Sequence, residues 1–136
     1  MRRRKAREYA LQLLFQLDFT GKSYTFQARD DFWSDKNESG DVRDFAEGLV
    51  KGTVDNIEEI DKVIEKVTEN WAMKRMAAVD RNILRFAAYE IFFRKDIPSA
   101  VTINEALEIA KKYSSSEAAS FLNGVLDKLA QEAGKA

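Results

Sequence analysis

Five cations crowd the start of the chain, Arg2, Arg3, Arg4, Lys5 and Arg7, and through residue 9 only Glu8 opposes them. That segment is therefore +4, and since the whole chain carries −1, the remainder is −5. A short basic block on a mildly acidic body predicts a localised site for a polyanion rather than a generally adhesive surface. On a helix turning about 100° per residue, Arg4, Arg7, Leu11 and Phe15 project within about 80° of one another. Arginines neutralise phosphates and stack on bases, and the Phe15 ring offers a face to an unstacked base, so this stripe suits single-stranded RNA. The alternative is a solvated helix end on which Phe15 only packs.

Other chemistry is thinly represented. The chain has no cysteine, which removes disulfides, thiolate nucleophiles and zinc–cysteine sites, and no histidine, the commonest proton shuttle and metal ligand. The carboxylate pairs Asp30/Asp31 and Glu58/Glu59 fall on charged helix surfaces without a glycine-rich loop to define a reaction site. Gly21-Lys22-Ser23 resembles the end of a phosphate-binding loop, but Gln16 stands at the required upstream glycine and a helix precedes it. No catalytic residue, metal or cofactor is expected, and the chain reads as a binding protein rather than an enzyme.

Two more positions stand out against their neighbours. Asp80 falls inside the apolar arc of Met76, Ile83, Ala87 and Ile91, where an unpaired carboxylate is costly. Either the helix breaks near Val79 so that Asp80 caps the next segment, or Asp80 meets a cation of the protein or of a partner. Phe121 lies about 90° from the centre of the last helix's core face, beside Lys128, which leaves its ring open to stack on a base; core-edge packing is the competing reading. Asn123-Gly124 interrupts the same helix and implies close approach of a neighbour or ligand.

The elements that must position these residues are helical. Ala, Leu, Glu, Lys and Arg are abundant, while there are six glycines and one proline, and 136 residues with 45% hydrophobic content suit one domain with a packed core. A first helix over about 3–18 buries Ala6, Tyr9, Ala10, Leu13, Leu14 and Leu17, and Gly21 stops it. A weaker helix with Phe26, Phe32 and Trp33 follows. Asp41 is the expected N-cap of a long third helix reaching about residue 70, in which Gly48 and Gly52 imply close approach of another helix. A fourth stretch covers 74–94, Thr102 with Glu105 forms a capping box for a helix to Tyr113, and Ser114 with Glu117 forms another for the last helix, which Gly134 ends. The charged N-terminus leads into no apolar run and no stretch of about 18 apolar residues occurs, so neither export nor membrane spanning is expected and the placement is cytoplasmic.

From residue 71 the chain reads W-A-M-K-R-M-A-A-V-D-R-N-I-L-R-F-A-A-Y-E-I, then D-I-P at 96–98, I-N-E-A at 103–106, A-K-K-Y at 110–113 and F-L-N-G-V-L-D-K at 121–128. With R-R-K-A-R-E at 3–8 and A-L-Q-L-L-F at 10–15, these segments closely resemble the NusB family over nearly the whole chain, 22–41 excepted. The resemblance implies an all-α fold of six to seven helices in two roughly perpendicular three-helix bundles, about 1–70 and 71–136 of a single RNA-binding domain. It further implies a bacterial transcription antitermination factor that binds boxA RNA of nascent ribosomal transcripts together with NusE, the ribosomal protein S10, within the RNA polymerase antitermination complex and its other Nus factors. The implied RNA contacts are Arg2, Arg3, Arg4, Lys5, Arg7, Phe15 and Phe121, while Asp80 and Arg85 fall where the family meets NusE and RNA. Ser120, in place of a basic residue before Phe121, contributes less charge there. A fused ribosomal RNA methyltransferase, found beside some domains of this kind, is not expected in a chain running to Ala136. Two alternatives stay open: a protein-only helical adaptor with an apolar partner groove, and a homodimer that hides the basic helix.

Overall fold

Good helix formers and a 3.6-residue apolar period dictate the architecture. In the computed structural model, which describes residues 2–135, they form α1 (Arg3–Thr20), α2 (Phe26–Trp33), α3 (Gly40–Asp55), α4 (Ile57–Val67), a 3-10 turn (Met73–Arg75), α5 (Ala78–Phe93), α6 (Ser99–Tyr113) and α7 (Ser116–Glu132). No strand occurs among the described residues, and none of these helices is long and apolar enough to cross a membrane. Helices α5, α6 and α7 pack on one another, α4 leans on α5 and α7, and α1 lies against α3, α5 and α6.

That central position changes what α1 buries. A helix with one core face hides a stripe, but α1 has neighbours around most of its girth, and Ala6 through Leu11, Leu13 and Leu14 are all buried. Gly21 ends it as expected, with φ at +69° and its N–H donating to the Leu17 carbonyl at 2.9 Å.

Helix starts differ from expectation wherever a cap had a nearby competitor. Ser39, not Asp41, caps α3, its hydroxyl accepting from the Val42 N–H, and Asp41 sits in the first turn where the helix dipole favours a carboxylate. Ser115, not Ser114, caps α7 through the Ala118 N–H at 3.0 Å. Helix α6 begins after Pro98, three residues ahead of the expected capping box, because Thr102 and Glu105 turn instead towards α5 and α1. The long third helix is two. At the junction Asn56 donates its side-chain amide to the Gly52 carbonyl at 2.8 Å, and α4 then ends before Glu69 and Asn70, both left-handed.

Of Gly48 and Gly52, the two glycines in the interior of α3, only Gly52 has its close neighbour. A β-carbon there would lie 2.1 Å from the Tyr89 ring of α5, whereas one at Gly48 would meet nothing within 4 Å. Gly48→Ala is accordingly expected to stabilise by about 0.5–1 kcal/mol through helix propensity. Gly52→Ala should instead destabilise by about 1–3 kcal/mol through overpacking. Urea titrations of the two variants check the opposite signs, and Tyr89→Ala should relieve the second effect.

Candidate nucleic-acid interface

The cations of the N-terminal block divide into exposed and buried groups. Arg2, Arg3 and Arg4 are exposed at the start of α1, and Lys5 is half-buried beside them. Each has a soft intramolecular partner. Arg2 donates to Glu38 at 3.2 Å, Arg4 donates to Glu105 at 2.6 and 3.1 Å, Arg3 lies over the Phe45 ring and Lys5 over Tyr9. The hydrogen bond from Arg4, aided by its charge, holds the Glu105 carboxyl below the ordinary glutamate value. Both arginines keep more than half of their side-chain surface in water although Glu38 and Glu105 are mostly covered, so each can also meet a phosphate. The free end of α1 also carries unpaired backbone N–H groups and the positive end of the helix dipole, which favour an anion.

Arg7 is a correction to the expected stripe. Only 1% exposed, it donates to both oxygens of the equally buried Glu90 at 2.7 and 2.8 Å, and Thr102 donates to the same carboxylate at 2.8 Å. The wheel put Arg7 on a flank of α1, but that flank faces α5 and α6, so its guanidinium lies in the core, paired with Glu90, rather than on the surface. Leu11 is buried for the same reason.

Arg85 is corrected likewise. Its guanidinium donates to both oxygens of Asp61 at 2.9 Å, to Asp18 at 3.1 Å and to the Asn82 side chain at 3.1 Å. Asp18 also accepts from Arg81 and Asn82, and Arg81 donates to the Met73 and Met76 carbonyls. This network ties α1, α4, α5 and the 3-10 turn together and leaves Arg85 almost wholly enclosed. Asp80 sits in the first turn of α5 without serving as its N-cap, and its Oδ1 is buried with no hydrogen-bond partner. It meets no cation among the described residues.

The aromatic candidates remain at the surface, with companions that the wheel did not single out. Phe15 is half-buried and stacks nearly parallel on Phe19 at 6.3 Å, with Phe19 81% exposed one turn on. A cleft beside Phe15 is completed by Gln12, Val79 and Tyr113. Tyr113 and Lys112 both donate to Glu8 at 2.8 Å, joining α6 to α1. Phe121 is half-buried and packs at 5.5 Å against Trp71, itself 50% exposed. The four-residue step from Phe15 to Phe19 was a readable signal for the first pair, whereas the Trp71–Phe121 contact joins segments far apart in sequence. Gly124 has open space around its α-carbon, so no neighbour within the chain accounts for it.

Comparison with known proteins bears on what such an arrangement is for. The model of the NusB family matches residues 4–131. The transcription antitermination protein NusB of Desulfitobacterium hafniense (strain DSM 10664 / DCB-2) is 52% identical, over 99% of this chain and 92% of that protein. Its counterpart from Thermodesulfovibrio yellowstonii is 47% identical over 97% and 93%. Among solved structures, T. maritima NusB aligns with a TM-score of 0.86 at 35% identity over 97% of this chain and 92% of that one. A structure of the antitermination factors NusB and NusE in complex with double-stranded RNA aligns at 0.86 and 30% identity, covering 96% of each chain. With a family model spanning almost the whole chain, relatives about half identical over nearly their full length, and the same helical fold, the protein belongs to the NusB family.

Proposed function

We propose that this protein is an antitermination factor that binds boxA RNA of nascent ribosomal transcripts together with NusE, with the open end of α1 as its phosphate-binding edge. The observation that carries this reading is the cluster Arg2, Arg3, Arg4 and Lys5, gathered at a helix N-terminus and held only by exchangeable partners. The relative solved with NusE and RNA supports the same ligand classes. Phosphate contacts supply affinity without sequence information, and the rings of Phe15 and Phe121, which can stack on unpaired bases, favour an extended single strand over a duplex. Asp80, half-buried in the first turn of α5 and without an ion-pair partner among the described residues, suits a cation of NusE. Acting on nascent bacterial transcripts, such a factor works in the cytoplasm, as part of the polymerase complex and without chemistry of its own.

Fluorescence anisotropy with boxA and scrambled RNA, NusE present, tests this. Arg3→Ala with Arg4→Ala should weaken boxA binding roughly tenfold and flatten the salt dependence by about 1.4 logarithmic units per decade, as for two phosphate contacts on a single strand. Glu105→Gln should tighten binding a few-fold by releasing Arg4. Phe121→Ala should weaken binding to both strands, by the roughly 1–3 kcal/mol expected for one lost base stack. An unchanged salt slope in the arginine variant would refute the mapping, and equal retention of both RNAs by the unaltered protein would favour a protein-only adaptor.

A further inference from the structure

The groove between α2 and α3 lies apart from every residue assigned above. It has a volume of about 580 Å³ and is mostly apolar, with Tyr24 and Phe26 on one wall and the bare backbone of Gly48 on the other. Three features there lack an explanation within the chain. Phe26 is 77% exposed, with the Arg29 guanidinium 4.9 Å from its ring centre and no apolar neighbour among the described residues stacked on it. The Tyr24 hydroxyl is buried with no hydrogen-bond partner, and burial pushes its pKa up to about 12. Gly48 sits mid-helix at a cost of about 1 kcal/mol relative to alanine, and unlike Gly52 it makes room for no internal neighbour.

The charges on the rim indicate what would fill it. Arg29 lies beside Asp30, and Lys51 beside Asp55, so these four charges sum to zero. Asp44 and Glu47 have no ion-pair partner among the described residues, and the rim therefore presents two uncompensated carboxylates. A phosphate backbone is repelled by such a rim, while an apolar side chain flanked by Lys or Arg meets complementary charge. We infer that the α2–α3 groove docks a basic segment of a partner protein, which inserts an apolar side chain over Gly48 between Phe26 and Tyr24 and sets its cations against Asp44 and Glu47.

The test uses the full chain, isotope-labelled for NMR, and three synthetic peptides: Ac-Lys-Arg-Leu-Arg-Lys-amide, its Leu-to-Ser counterpart, and Ac-Glu-Asp-Leu-Asp-Glu-amide. The first should saturate at up to millimolar concentration with shifts centred on the Gly48 and Lys51 amides, and the other two should not. Gly48→Leu, at an exposed helix position where a β-carbon meets nothing within 4 Å, extends into the groove and should abolish the shifts, with helicity and boxA binding intact. Asp44→Lys with Glu47→Lys should weaken the first peptide roughly tenfold, as expected for removing charge complementarity at a rim. Equal binding of the Ser or acidic peptide, no binding of the Leu peptide, or binding that survives Gly48→Leu overturns the proposal. So does concentration-dependent self-association that Gly48→Leu removes, since the occupant is then a second copy. Because RNA binding is read separately, failure here leaves the RNA interface standing, and the converse holds.

Discussion

Replacing Arg7 by methionine is expected to lower the unfolding free energy by about 3–5 kcal/mol, the cost of leaving an uncompensated charge in a core. Glu90 would keep only the Thr102 hydroxyl as a donor, in a site where both partners of the pair are now almost completely enclosed. Nearby Glu105, 3.7 Å from Arg7, would add unrelieved negative charge. The pair as a whole is worth much less than that loss, because two charges withdrawn from water sacrifice hydration that their attraction only partly offsets. Arg7→Met combined with Glu90→Leu should therefore recover most of the stability. Urea denaturation followed by circular dichroism measures both variants. A single-variant loss below about 1 kcal/mol, accompanied by a fall in RNA affinity, would return Arg7 to the RNA surface and contradict the core assignment.

Asp18→Asn should cost about 2 kcal/mol at neutral pH, because one carboxylate oxygen serves Arg81, Asn82 and Arg85 at 2.8–3.1 Å and charge-assisted bonds of this kind are worth about 1.5–3 kcal/mol each. Asparagine keeps an acceptor but loses the charge. The effect also has a pH signature. Burial acts to raise the Asp18 pKa, but the hydrogen bonds from Asn82 and Arg81 and the charges of Arg85 and Arg81 outweigh it and hold the carboxyl below 3.8. A carboxyl depressed in the folded state contributes stability above its unfolded pKa and loses that contribution as pH falls through the folded value. The difference between the original protein and Asp18→Asn should thus stay constant down to about pH 5 and close on further acidification. A gap that widens in acid would mean that the carboxyl is not stabilised by these cations. Since this network fixes α1 to the 3-10 turn and to α5, the variant should also loosen the segment around Trp71 and Asp80, readable as faster amide exchange there.

Much of the helical framework was legible because its causes are local. Apolar residues spaced three and four apart mark α1, α3, α5 and α7, and Gly21 ends α1 because it tolerates a left-handed conformation. Boundaries were less legible. Asn56 splits the third helix with a single side-chain hydrogen bond, yet the apolar period runs on across the break. Thr102 and Glu105 spell a capping box, but tertiary partners claimed both side chains.

For the site, charge was readable and burial was not. Composition and spacing alone established a basic block at one end of a helix, the aromatic residues Phe15 and Phe121, and the lack of cysteine and histidine, since these follow from residue type and a fixed helical turn. Which arginines remain in water depended on packing. Arg4 and Arg7 are three residues apart on the same helix, but the partner of Arg7 lies 83 residues away on α5, and only the assembled bundle encloses one and leaves the other exposed. The same holds for Arg85, whose carboxylates come from α1 and α4, and for the bare groove at Gly48, because a wheel describes one helix while burial depends on how many others surround it.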